Sequence, residues 1–147
     1  MVLLTTEVVG ILMRWAHIAS MAMLLGGVAY ARLVAFPVLA RAGEEGGPEI
    51  CEGLAARYRP LMYAAIGGLF LSGLYNFFTH TGHTTYYHMW FGIKILFVLH
   101  VFAASVLAMR PTPATAANEA RRTRRMTGVV LSGIVIVLIS AYLRRIY

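Results

Sequence analysis

The sequence predicts an all-α integral membrane protein: a four-helix up-down-up-down bundle forming one transmembrane domain over residues 1–147. Composition gives the first reason. The chain is 59% hydrophobic and only 13% charged, whereas a soluble domain is about half apolar and about a quarter charged. Second, the apolar residues fall into four runs, each near the roughly 20 residues that a bilayer-spanning helix needs. Third, basic residues gather at the ends of those runs rather than across a surface, and the mean hydropathy is +0.70.

The first helix is expected at about 8–37, ending at Pro37; it exceeds what a bilayer needs, so it should tilt or protrude. A second is expected at about 60–79, because Pro60 suits an early helix position. The third, at about 88–110, runs into the stop Arg110-Pro111-Thr112-Pro113, and the fourth covers about 124–144. Between the first two lies a Gly- and Glu-rich loop from Arg41 to Arg59, and the third loop ends in the basic run Arg121, Arg122, Arg124 and Arg125. Glu7 and Arg14 break the pattern of a cleavable signal, so the first helix is expected to be retained. The Leu-Ser-Gly triplets at 71–73 and 131–133 hint at paired hairpins, but small residues there more simply mark close helix packing.

Charge placement gives an orientation. Loops one and three carry Arg41, Arg57, Arg59, Arg110 and the basic run, while loop two carries no Lys or Arg. The positive-inside rule then puts loops one and three in the cytoplasm and both termini outside, in a bacterial-type inner membrane. Topology and anionic lipid account for the net charge of +7, so no nucleic-acid partner is expected. Cys51 is the only cysteine, which excludes an intrachain disulfide and any multi-thiolate metal site.

His17, Lys94 and His100 lie inside the apolar runs, with Arg14 and Arg32 nearer the ends. A charge at the bilayer centre costs about 2.5–3.5 kcal/mol on insertion scales, so such positions usually carry function. Lys94 is the only lysine in a chain that otherwise uses arginine. Counting inward at 1.5 Å per residue, His17 and His100 reach comparable depths on helices one and three, which run parallel. Two imidazoles at one level can be the axial ligands of a haem b. Gly10, Ser20 and Gly27 on the His17 face leave room for a flat macrocycle, and Arg14 and Lys94, outward of the histidines, suit its propionates. Should the membrane begin near Met13 instead of Val8, His88 becomes the better partner for His17. His80, His83 and His88 form a second group that could hold copper or zinc, with Met89 and Met21 as soft donors. Tyr86, Tyr87 and Trp90 beside them read equally well as an interfacial aromatic belt.

A family resemblance joins these residues. Arg14-Trp15-Ala16-His17-Ile18-Ala19, followed by Gly26-Gly27, Arg32-Leu33 and Pro37, resembles the first helix of proteins with the copper resistance protein D domain and of the related bacterial membrane protoporphyrinogen IX oxidase. Gly73-Leu74-Tyr75-Asn76 is similar to the close of that domain's second helix, and Trp90-Phe91-Gly92-Ile93-Lys94 to its third. The resemblance covers about three of the four helices. It implies a four-helix membrane fold, a haem b held by His17, and a functional lysine at Lys94. Where the oxidase has a further Tyr-His closing helix one, this chain reads Ala35-Phe36-Pro37, and its outer histidine loop has no counterpart. Both departures bear on porphyrinogen oxidation and leave the haem expectation standing.

Three functions follow. The first is a haem b redox protein or haem-dependent membrane oxidoreductase working with a quinone or small redox partner, with Arg14, Arg32 or Lys94 binding carboxylates in its porphyrinogen-oxidising version. The second is a copper-binding or copper-transport protein using the outer His and Met residues. The third is a small subunit of a larger respiratory complex. A homodimer is compatible with all three.

Overall fold

The computed structural model describes residues 2–41, 47–79, 85–113 and 115–146. Among them there are helices and no strand, and four segments are long and apolar enough to cross a membrane: Thr6–Arg41, Glu49–Thr79, Thr85–Ala108 and Ala116–Arg145. The chain is an all-α helical bundle of membrane-spanning type. Apolar side chains such as Ile11, Trp15, Ile18, Leu71, Leu96 and Leu138 point outward, each more than 60% exposed. Water would penalise such a surface, whereas hydrocarbon solvates it.

Helix α1 (Val2–Tyr30) passes through a π-helical turn at Ala31–Ala35 into α2 (Phe36–Arg41), so Pro37 does not end the helix. Proline removes the N–H that would bond the carbonyl four residues back and crowds it. The wider turn just before it absorbs that defect, with the Phe36 N–H bonding the Ala31 carbonyl. Helix α3 (Gly47–Thr79) starts thirteen residues before Pro60, which lies inside it. Much of the expected first loop is thus helical, stabilised where Glu52 ion-pairs with Arg59 and with Arg122. Helix α4 (Thr85–Met109) matches expectation closely. Helix α5 (Ala116–Ile146) starts eight residues before the expected 124, so the basic run lies in its opening turns rather than in a loop. Thr115 caps it, its Oγ accepting the Asn118 N–H at 3.3 Å.

Packing is closest within the pairs α1–α3 and α4–α5, and looser contacts of α1 with α5 and α3 with α4 close the ring. Helices α1 and α4 therefore stand on a diagonal. In one half of the bundle Leu24 and Val28, Ala55 and Met62, Ala104 and Ala108, Met126 and Val129 are all buried. Arginines close that end. Arg122 donates to the Ala108 carbonyl at 2.9 Å, Arg59 to the Met109 carbonyl at 2.6 Å and Arg125 to the Leu107 carbonyl at 3.0 Å. These are the last carbonyls of α4, which have no partner within the helix.

In the other half the buried residues are on α3 and α5: Ser72, Ile136, Ile139 and Leu143. No described residue of α1 before Leu24 is buried, and none of α4 before Val101. Aromatic contacts close its rim, with Phe77 stacked on Phe91 at 5.0 Å and Trp90 edge-on to Tyr142 at 5.4 Å. Such a girdle suits a membrane–water interface.

Candidate functional site

Within this half, His17 of α1 faces α3. Its Nδ1 lies 2.9 Å from Ser72 Oγ. The Ser72 hydroxyl has one proton and donates it to the Gly68 carbonyl one turn back. In the Nδ1–H tautomer Ser72 accepts from His17, and Nε2 then keeps its lone pair. Ser72 itself is 1% exposed. The ring lies against Gly73, where an added Cβ would be 3.5 Å from His17 Cε1. Gly68, Ser72 and Asn76 share one face of α3 at four-residue spacing.

Across the diagonal, Lys94 of α4 lies part-buried within the apolar span. Trp90 lies one turn outward of Lys94 on the same face, and its indole N–H is buried without a hydrogen-bond partner. The indole packs among the rim aromatics, edge-on to Tyr86 at 6.4 Å and to Tyr142 at 5.4 Å.

His100 does not join them. It is exposed, and its Nε2 would be 3.1 Å from a Cβ on Gly128 of α5. Lys94 and His100 are six residues apart, about 120° around the helix, so a face that turns Lys94 toward α1 turns His100 away. His100 thus lies against α5, while His17 lies against α3. His88, at the outer start of α4, is exposed with its ring edge-on to Tyr87 at 6.1 Å. His80 and His83 lie outside the described residues. Among the described residues no three His, Cys, Asp or Glu side chains come together as a metal site.

The arginines separate from this site. Arg14 is exposed, one turn outward of His17. Arg32 lies fifteen residues inward, in the π-helical turn, where its Nε donates to Thr127 Oγ at 3.0 Å. That position is about 22 Å along the helix from His17, too far for both to hold one small substrate. Cys51 is a free thiol near the arginine-rich end.

Comparison with protein-family models, with curated proteins and with solved structures returns no match. The site therefore rests on its own geometry. Ser72 and Trp90 are the residues that sequence reasoning passed over. The signal for Ser72 was the polar stripe Gly68-Ser72-Asn76 in an otherwise apolar helix; Trp90 was read as belt, and only packing shows its N–H to be sealed from water.

Proposed function

We propose that the chain is a membrane haem b protein in which His17 Nε2 is an axial ligand. The observation that carries this reading is the Ser72–His17 hydrogen bond. Ligating histidines almost always give their other N–H to an acceptor, which fixes the tautomer and raises the basicity of the ligating nitrogen. Ser72 does this from within the bundle, so the imidazole presents Nε2 without rotamer search. Lys94, already expected to meet a propionate, supplies a cationic donor for a carboxylate-bearing group. When bound, the iron would supply one-electron exchange with a quinone or small redox partner. The residues themselves orient the ligand, neutralise carboxylate charge and, through the aromatic rim, keep bulk water from the site. The arginine-rich end faces the cytoplasm on the charge rule, which puts this site near the outer surface.

Pyridine haemochrome assay and optical spectra test the reading on protein purified after expression with haem precursor. Wild type and His100→Ala should carry haem with a Soret band, and His17→Ala should carry none. Haem retained in His17→Ala, or none in wild type after reconstitution with hemin, would sink it. Copper found in place of haem in that wild-type preparation gives the site to a soft metal instead, with Met21 one turn inward as a sulfur donor. Ser72→Ala separates positioning from ligation: haem affinity should fall about 10–100-fold, the usual loss for an outer-shell partner, while the spectrum of the remaining bound haem keeps its histidine signature.

A further inference from the structure

The turn between α4 and α5, at the arginine-rich end, encloses a cavity of about 310 Å³ whose walls include Arg110, Arg121, Arg122 and Arg125 with Pro111 and Asn118. That volume is at the small end of ligand pockets. No acidic side chain lines it. The four guanidiniums are differently engaged. Arg122 is 4% exposed and already committed, to the Ala108 carbonyl at 2.9 Å, to Glu52 at 3.4 Å and to Glu119 at 3.9 Å. Arg125 gives one nitrogen to the Leu107 carbonyl and has no ion pair among the described residues. Arg110 and Arg121 have neither a hydrogen bond nor an ion pair among them.

Three uncompensated guanidiniums around one small cavity repel each other unless an anion enters. The arginine fork matches tetrahedral oxyanions bidentately. Depth narrows the chemistry further. The apolar run of α4 ends just before Arg110 and that of α5 begins after Arg125, which puts the cavity at the level of a membrane interface, where lipid phosphates reside. We infer that the α4–α5 turn is a binding site for a phosphate group, either a phosphodiester headgroup of an anionic lipid or a free phosphate. This site is independent of the one at His17.

The test uses the full chain in phosphatidylcholine nanodiscs doped with phosphatidylglycerol, with lipid retained on delipidation read by ³¹P NMR and native mass spectrometry. The variant pair is Arg110→Gln with Arg121→Gln, both exposed and outside the ion pairs. Arg144→Gln with Arg145→Gln removes the same charge at the opposite end of the bundle. Wild type and the opposite-end pair should enrich phosphatidylglycerol, and the turn pair should lose about thirtyfold in affinity, from two arginines at an anionic surface. Retained lipid that inorganic phosphate does not displace supports a headgroup site. Displacement, or a phosphate resonance shifted in wild type alone, supports a free-phosphate site. Equal enrichment of both lipids with no effect of phosphate, or equal loss in the two variant pairs, would overturn the proposal.

Discussion

Arg122→Ala is expected to lower unfolding free energy by about 3 kcal/mol, the largest effect of any single substitution outside the histidine site. The side chain is buried, and it closes three elements at once. Its Nε satisfies the Ala108 carbonyl, its terminal nitrogens meet Glu52 of α3 and Glu119 of its own helix, and the guanidinium lies 5.2 Å from the Phe36 ring centroid. Alanine leaves an orphaned carbonyl, which costs about 1–3 kcal/mol when buried. It also removes a desolvated cation–π contact worth up to about 2 kcal/mol. The terms overlap, since Glu52 keeps Arg59 as a partner and is itself partly exposed. Thermal or steric-trap unfolding in detergent provides the measurement. Arg121→Ala, one position away and exposed, should change stability by less than about 0.5 kcal/mol. Similar losses in the two variants would mean that net charge, not the Arg122 clasp, holds this end together.

Gly27→Ala should cost about 2–3 kcal/mol, although alanine is the better helix former. A Cβ on Gly27 would fall within the Tyr58 ring. That ring is held in place because the Tyr58 hydroxyl donates to the carbonyls of Met23 at 2.9 Å and Leu24 at 3.0 Å. The tyrosine has to leave, and the clasp between α1 and α3 leaves with it. Gly26 is the internal control: nothing lies within 4 Å of its Cβ position, so Gly26→Ala should be neutral or mildly stabilising. A double-mutant cycle with Tyr58→Ala should show coupling of at least about 1 kcal/mol. Zero coupling would mean that the Gly27 effect comes from somewhere other than this ring.

The four spans could be read from the sequence because hydrocarbon imposes one strong demand, a continuous apolar run of sufficient length. Helix ends could not, because that demand stops at the interface. Beyond it, Glu52 with Arg59 and Arg122 extends α3 ahead of Pro60, and capping by Thr115 extends α5 through the basic run. His17 and Lys94 were identifiable as polar residues at membrane depth. Their partner was not, for a specific reason. Depth was counted from assumed helix starts and ignored direction around the axis. The spacing of Lys94 and His100 already contained the answer, since six residues cannot place both on one face. Ser72 shows a second limit: its role depends on which carbonyl takes its proton, and only the folded backbone supplies that.

The arginine clasp and the His17–Ser72 pair lie in different halves of the bundle. Persistence of the fold and occupancy of the site are therefore governed by different residues, separated along the membrane normal. Substitutions at Arg122, Met126 or Val129 are expected to change how much protein survives in the membrane. Under the proposed function, those at His17 and Lys94 change what the protein holds. A lineage could thus retune the histidine end toward another small ligand without renegotiating the fold, because the clasp that keeps the four helices together is at the opposite side of the bilayer.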